Sequence, residues 1–391
     1  MFRHLFRMIW NKKKQNFLLI TEMLISFLVL FAVFTLLIFN YRNYRQPMAF
    51  EYDNVWVINF SNPFGSASKD SAKLYLDVLR TTIKSMSQIE DVSYTSENVP
   101  FSQSTIMNGF KNNDKQIQRV NWFDVESDYD NVLGLQLIEG RWFDQRDIAY
   151  KTRPVVINNK LRTELFGNEK AIGEIIGDDN KMQVIGVIND PKFFGDYSAT
   201  EKSTYNLADS NSYTHLSKLL IKVKPGATAA FEGTLYKTIS NYLKSSTVEI
   251  EHLDNKRKSI NYFALVPMII LSIVSCFLII NVALGLFGVL WYNINRRKGE
   301  IGLRRAVGAT GMSVSAQMVV EALILATLAI VIGAFFAVQF PLLNVFDLPA
   351  SVYLYAILFA VLFLYLLVLI CSLYPGRQAA AIYPAVALHE D

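Results

Sequence analysis

The chain alternates between long apolar runs and one long polar stretch. Apolar runs cover residues 17–39, 260–292, 313–340 and 352–374. A helix rises about 1.5 Å per residue, so each run reaches across a hydrocarbon core of roughly 30 Å. The run 260–292 is longer than that core requires, and we expect one or both of its ends to project beyond the lipid. The pattern therefore predicts four transmembrane helices.

The polar stretch, residues 40–259, has the spacing of a mixed α+β domain. Near its start, the pattern predicts strand 55–60, helix 69–86 and strand 92–95. The same order returns near its end, as strand 218–223, helix 227–243 and strand 248–253. Two strand–helix–strand units that bracket an insert predict a split sheet with its helices on one face.

The insert, about residues 97–215, is richer in turns and short strands. Its clearest elements are strands 154–158 and 181–189 with a short helix at 159–166 between them. The predicted fold is thus an α-helical membrane protein with a large extracytoplasmic α+β domain.

The first apolar run resembles a signal sequence in position but not in length. It exceeds the usual 7–15 apolar residues, and no small-x-small cleavage site follows it. We interpret it as an uncleaved signal anchor with its N-terminus in the cytoplasm.

Charge sets the orientation of the predicted helices. The chain is 52% hydrophobic, too apolar for an ordinary soluble domain. Segments 1–16, 293–312 and 375–391 together hold 11 Lys and Arg against 3 acids, whereas 40–259 holds 27 against 28. Positive residues stay on the cytoplasmic side. We therefore expect cytoplasmic segments 1–16, 293–312 and 375–391, and extracytoplasmic segments 40–259 and 341–351. No basic stripe remains to indicate nucleic-acid binding.

The sequence offers little catalytic chemistry. It has no phosphate-binding G-x-x-x-x-G-K-[ST] loop, no H-E-x-x-H pair and no G-x-S-x-G elbow. We expect no catalytic residue, cofactor or metal in this chain. Two acids, Glu22 and Glu321, lie within apolar runs, where a proton relay and a structural or interfacial role are both open; we favour the structural role.

The cytoplasmic segment between the second and third runs has a distinctive pattern. Residues 296–311 read RRKGEIGLRRAVGATG. Glu300 and Arg304 are four apart, the favourable order for an ion pair on a helix, while Ile301 and Val307 lie on a different face. The spacing predicts a short amphipathic helix. A loop that merely anchors neighbouring helices at the lipid surface would explain the charge, but not the glycines.

This segment and the C-terminal tail resemble a known family. Residues 300–309, EIGLRRAVGA, are similar to the signature of FtsX-like permeases, the membrane subunits of MacB-type (type VII) ABC transporters. Residues 374–388, YPGRQAAAIYPAVAL, resemble the family's C-terminal signature, with departures at Gln378 and Tyr383. The resemblance implies candidate contacts to a cytoplasmic ATPase at Arg296, Arg297, Glu300, Ile301, Arg304, Arg305 and Gly308, and C-terminal signature residues Pro375, Arg377 and Pro384.

The polar stretch resembles the MacB-like periplasmic core domain. Gly140, Arg141 and residues 143–147 match its GR-x-F-x-x-x-D pattern, and segments 155–158, 165–167, 172–173 and 184–190 match later parts. The resemblance implies two Porter halves, about 50–96 and 216–255, around a Sabre insert at about 97–215.

The resemblance implies a permease of the bacterial inner membrane that works by mechanotransmission. A separate ATPase would hold ATP and Mg²⁺, and the permease would act as a homodimer or with a related permease. A periplasmic adaptor or outer-membrane exit protein is a further expected partner, and the cargo would be a drug, peptide or lipoprotein.

Two alternatives remain open at this point. One is an FtsX-like regulator that activates a cell-wall hydrolase; the size of the polar stretch favours the transporter. The other is a membrane-anchored scaffold that works without an ATPase.

Overall fold

The computed structural model describes residues 13–61, 69–103, 105–113, 115–149, 152–209, 212–244 and 246–381. It divides into two compact units. The membrane unit comprises Met1–Arg42 with Leu265–Asp391, and the sheet unit comprises Asn43–Ala264.

Within the described residues of the sheet unit, eleven strands form one sheet. Its core order is β11-β1-β10-β2-β4-β9-β6-β8-β5, with β3 paired to β4 and β7 to β8. The strands are β1 (Val55–Phe60), β2 (Ile89–Thr95), β3 (Met107–Asn112), β4 (Lys115–Val125), β5 (Leu137–Gly140), β6 (Arg153–Asn158), β7 (Ile175–Ile176), β8 (Met182–Ile188), β9 (Lys202–Leu207), β10 (Lys218–Val223) and β11 (Val248–His252).

The two strand–helix–strand halves interleave. Helix α2 (Lys69–Lys84) joins β1 to β2, and helix α5 (Ala229–Tyr242) joins β10 to β11. Because β10 lies between β1 and β2, each half supplies strands to the other's ladder, and all these pairs are antiparallel. One face of each helix packs into the same core cluster, through Leu76, Leu79 and Ile83 of α2 and Leu235 and Ile239 of α5. The split α+β fold with helices on one face is confirmed.

The insert contains more strand than its pattern predicts. Beyond the expected strands β6 and β8 and the expected short helix α4 (Asn159–Phe166), the structure adds β3, β4, β5, β7 and β9 and a second short helix, α3 (Tyr129–Leu133). Strand β4 lacks the regular alternation of buried and exposed residues that predicts a strand, because its ladder with β3 shifts register between Asn108 and Phe110. Arg119 has a φ of +57°, and the buried residues Ile117 and Val120 are three apart rather than two.

The GR-x-F-x-x-x-D pattern has a structural cause. A Cβ on Gly140, which has a φ of +72°, would stand 2.2 Å from the carbonyl oxygen of Ile185. Arg141 donates from Nη1 and Nη2 to the two carboxylate oxygens of Asp147, both at 2.6 Å. The Asp147 side chain is fully buried, and the Asp144 N–H also donates to it. The pattern thus fixes the turn after β5.

Two aromatic rings stack at the end of β11, the last strand along the chain. His252 ends β11 and stacks on Trp56 of β1, with ring centroids 4.7 Å apart and an interplanar angle of 11°. Helix α6 begins at the next residue, Leu253.

Among the described residues, four helices are long and apolar enough to cross a membrane. They are α1 (Lys13–Tyr44), α6 (Leu253–Arg296), α8 (Gly311–Leu342) and α9 (Ala350–Ala380). Each helix extends beyond its predicted apolar run. Helix α9 continues into the predicted tail 375–391, since residues 375–380 form its last turns.

Small residues allow close packing in the membrane unit. Ala326, Ala329 and Gly333 of α8 and Ala356 and Ala360 of α9 are fully or nearly fully buried. On α6, a Cβ at Gly285 would stand 2.6 Å from Oε2 of Glu22. Glu22 therefore lies against a neighbouring helix.

Candidate functional site

The coupling segment, residues 296–311, folds as a short helix between two membrane helices. Helix α7 spans Lys298–Ala306, and Arg297 separates it from the end of α6. Gly308, with a φ of +106°, turns the chain after α7. Thr310 then caps α8, its hydroxyl accepting from the N–H of Ser313.

The inner face of α7 is apolar and buried. Ile301 is 3% exposed and belongs to a cluster with Ile294, Val314, Met318 and Ala379, which come from α6, α8 and α9. Val307, however, is 82% exposed. Ile301 and Val307 therefore do not share an apolar face, because the helix ends at Ala306 and Val307 points outward.

Arg297 is held inside the membrane unit. Its side chain is 13% exposed, its Nε lies 3.0 Å from Oε2 of Glu300, and its Nη1 lies 3.5 Å from both carboxylate oxygens of Glu321. The hydrogen bonds to Glu300 raise the pKa of the Arg297 guanidinium above its usual value. Gln317 donates to Glu321 at 3.1 Å, so this acid is paired from two sides.

Glu300 and Arg304 form the ion pair that their spacing predicts. Arg304 Nη2 lies 2.5 Å from Glu300 Oε1, and Arg304 Nη1 donates to Oε1 of Gln317 at 2.9 Å. The two charged side chains are 43% and 41% exposed. This pair is therefore accessible to another protein in a way that Arg297 is not.

The coupling segment is also attached to the end of α9. Arg305 Nη1 donates to the carbonyl oxygen of Ala380 at 2.6 Å, one of the terminal carbonyls without a helical partner of its own. A Cβ on Gly311 would stand 3.0 Å from the same oxygen.

The C-terminal signature residues divide by burial. Pro375 is buried and Arg377 is exposed, both in the last turns of α9, while Pro384 lies outside the described residues. A Cβ on Gly376, between Pro375 and Arg377, would stand 2.6 Å from the Ser315 hydroxyl of α8. The C-terminal signature on α9 therefore packs against α8, the helix that follows the coupling segment.

The outward side of the segment combines charge with apolar surface. Arg296, Glu300 and Arg304 are exposed, and so are Leu303 and Val307. The charge pattern alone did not predict Leu303 as part of this surface, although the four-residue spacing of Leu303 and Val307 would have indicated a shared side of the helix. It also missed Gln317, which bonds to both Arg304 and Glu321.

The exposed side of the coupling segment has the geometry of a binding surface. In the part of the chain that the structure describes, no group of three His, Cys, Asp or Glu side chains could hold a metal ion. The site instead presents one open face while its opposite face contacts three membrane helices. The buried face of α7 thus packs against α6, α8 and α9.

Comparison with protein families identifies the chain. The model of the MacB-like periplasmic core domain matches residues 17–233, more than half of the 391 residues, and the model of the FtsX-like permease C-terminal region matches residues 272–384. The chain belongs to the MacB-type, FtsX-like permease family. The coupling segment and α9 of this permease lie within the second match.

Curated relatives are distant and longer. The permease is 26% identical over 278 residues to Macrolide export ATP-binding/permease protein MacB 2 of Aeromonas hydrophila, covering 68% of this chain and 43% of the relative. It is 22% identical over 319 residues to Macrolide export ATP-binding/permease protein MacB of Neisseria gonorrhoeae, covering 79% and 49%. The permease thus spans less than half the length of these relatives.

One solved structure resembles about half of this chain. The periplasmic region of MacB from Actinobacillus actinomycetemcomitans is 19% identical, covers 54% of this chain and 94% of its own, and has a TM-score of 0.40. The chain is a membrane protein with a periplasmic-type domain and a permease of ABC-transporter type.

Proposed function

We propose that this chain is the permease subunit of an ABC transporter that transmits ATP hydrolysis by a separate cytoplasmic ATPase to its sheet unit. The observation that carries the proposal is the two-sided coupling segment. Its outward side exposes Leu303, Val307 and the Glu300–Arg304 pair. Its inner side is packed against membrane helices through Ile301 and Arg297.

The mechanism follows from these contacts. Closure of two ATPase subunits on ATP and Mg²⁺ pushes on the outward side of α7. The displacement passes through Arg305 to α9, through Glu321 to α8, and across Arg297 to α6. Helix α6 is 44 residues long, or about 66 Å, and is continuous with the end of the sheet at His252. It carries the displacement to the sheet unit as mechanotransmission.

The proposed setting is the bacterial inner membrane, with both termini in the cytoplasm and residues 40–259 outside. The permease pairs with a second copy or a related permease, and a periplasmic adaptor or outer-membrane exit protein completes the path. The transporter exports a drug, peptide or lipoprotein. The relatives' names, which combine ATP binding with permease, support the ATPase partnership.

The test uses the full chain with the ATP-binding protein that co-purifies with it, reconstituted in proteoliposomes. Replacing Leu303 and Val307 by Ser, or exchanging the charges as Glu300→Arg with Arg304→Glu, is expected to lower stimulated ATP hydrolysis at least tenfold. The charge exchange keeps opposite charges four residues apart but removes Glu300 from Arg297. A loss that the Leu303 and Val307 variant shares therefore reports on the partner contact.

The matched control is Leu343→Ser, an equally exposed apolar residue that follows the opposite end of α8. It should leave stimulation unchanged. Unaltered stimulation in the coupling-segment variants, or the absence of any co-purifying ATP-binding protein, would contradict the proposal.

A further inference from the structure

Loop 191–198, between β8 and β9, contacts both segments through which the chain enters and leaves the sheet unit. On the entry side, the buried Lys192 donates from Nζ to the carbonyl oxygen of Asn43 at 2.6 Å and to that of Asp196 at 2.5 Å. Its backbone N–H donates to the carbonyl oxygen of Met48 at 3.0 Å. One lysine therefore connects the end of α1 with the far end of the loop.

A second set of contacts strengthens the entry side. The Asn43 amide donates to the carbonyl oxygen of Tyr197 at 2.9 Å. The rings of Tyr44 and Tyr197 stack with their centroids 5.7 Å apart. Asn43 and Tyr44 are among the last residues of α1, so the loop holds the helix where it ends.

On the exit side, Arg257 of α6 binds the same loop. Its Nε and Nη2 donate to the two carboxylate oxygens of Asp196 at 2.9 and 2.8 Å. Its Nη1 donates to the Tyr52 hydroxyl at 2.6 Å, and the guanidinium carbon lies 4.5 Å from the centroid of that ring. Such a bidentate, stacked guanidinium is fixed in direction, which an ammonium would not be.

The next turn of α6 is packed just as closely. Asn261 accepts the backbone N–H of Asp196 at 2.9 Å through its Oδ1. Gly195 has a φ of +95°, and a Cβ there would stand 2.8 Å from that oxygen and 2.9 Å from Ile260. A glycine is thus required for the loop to approach the helix.

The loop is itself rooted in the core of the sheet unit. Phe193 is buried, with its ring centroid 4.9 Å from Phe50 and 5.3 Å from Phe123. Its carbonyl oxygen accepts the N–H of Phe101 at 2.7 Å. A displacement of the loop therefore acts on the core directly.

We propose that loop 191–198 is the clamp that transfers movement of α6 to the sheet unit, with Asp196 and Arg257 as its positioning residues. This inference rests on the function proposed above. The first turns of α6 are held to the sheet unit by the buried Leu253, by Ile260 and by the Lys256–Glu251 ion pair at 2.8 Å. The Asp196–Arg257 pair and the Gly195–Asn261 contact add a direct link from α6 to loop 191–198, and Lys192 links the same loop to the end of α1.

The experiment uses the full chain with its co-purified ATP-binding protein in lipid nanodiscs. Stimulated ATP hydrolysis reports contact at the coupling segment, and hydrogen exchange of residues 43–50 and 191–198, with and without ATP, reports movement in the sheet unit. Arg257→Lys and Asp196→Asn are expected to keep stimulation within twofold of the wild type. Both should reduce the ATP-dependent change in exchange at least fivefold.

Lys258→Gln is the matched control, because this exposed cation is the next residue on α6 and lies 3.6 Å from Asp254. It should keep both readouts. The double substitution Asp196→Arg with Arg257→Asp should recover part of the ATP-dependent change in hydrogen exchange, since it restores an ion pair with the two charges reversed.

The outcomes separate the two proposals. A full exchange response in Arg257→Lys and Asp196→Asn overturns the clamp and leaves the proposed function intact. A wild-type complex without stimulated hydrolysis overturns the proposed function, and the clamp with it.

Discussion

The turn after β5 in the sheet unit and the coupling segment of the membrane unit use the same two devices with different results. Each has a glycine with positive φ, Gly140 and Gly308, and each has an arginine–acid pair. In the sheet unit the glycine is enclosed and the carboxylate of Asp147 is fully buried. In the coupling segment both glycine and ion pair are open. Enclosure makes such a motif a determinant of the fold, whereas openness leaves it available for a partner.

The largest difference is expected between alanine substitutions at the two glycines. Gly140→Ala places Cβ 2.2 Å from a backbone oxygen in addition to its backbone strain, and should cost about 4 kcal/mol of unfolding free energy. At Gly308 no atom of the described residues lies within 4 Å of an added Cβ, so the strain alone costs about 1–2 kcal/mol. Thermal unfolding of the full chain in nanodiscs measures both; similar losses would contradict the distinction.

The next effect concerns the arginine of the enclosed pair. Arg141→Gln leaves the buried Asp147 carboxylate without its bidentate partner. Removing one member of a fully buried pair costs about 3–5 kcal/mol, and since the Arg141 side chain is 37% exposed we expect about 2–3 kcal/mol. Denaturant unfolding followed by tryptophan fluorescence provides the measurement. Arg146→Gln, on a far more exposed arginine in the same turn, is the control.

The contribution of the Arg141–Asp147 pair to stability is expected to depend on pH. Hydrogen bonds from Arg141 hold the pKa of Asp147 below its usual value of about 3.9. The carboxylate's contribution to stability is therefore complete above the pKa of the unfolded chain and is lost as the pH falls through the lower folded value. Asp147→Asn should flatten this acid-side loss between about pH 5 and 2. An unchanged slope in Asp147→Asn would refute this origin.

The smallest effect on stability is expected at the open pair. Arg304→Gln breaks an exposed i,i+4 ion pair and should cost at most about 0.5 kcal/mol. Its thermal transition should nearly coincide with that of the wild type. A loss above about 2 kcal/mol would show that the pair supports the fold rather than a partner contact.

The two strand–helix–strand halves were predictable because β1 and β10 are short apolar runs and α2 and α5 have helical spacing. Strand β4 was not, because the irregular ladder with β3 and the positive φ of Arg119 break the alternation of buried positions. Such an irregularity arises from the pairing of two strands. The sequence of β4 alone does not show which strand pairs with it or in which register.

The sequence located the coupling segment, but it did not separate its exposed residues from those that contact the membrane helices. Arg297, Arg304 and Arg305 are alike in type, and one pattern placed all three at a partner contact. The break between α6 and α7 at Arg297 turns that side chain toward Glu321, and Arg305 reaches the end of α9. These roles depend on helices distant in sequence, whereas the Glu300–Arg304 pair depends on spacing within one helix.

The stacking of Trp56 on His252 supplies the permease with a native optical probe. The imidazole belongs to the residue immediately before α6, so a twist of that helix that displaces His252 changes the overlap of the two rings. Indole emission is sensitive to such contact, and subtracting the spectrum of Trp56→Phe isolates its signal from the other four tryptophans. The first steps of a turnover are therefore open to stopped-flow recording without any attached dye.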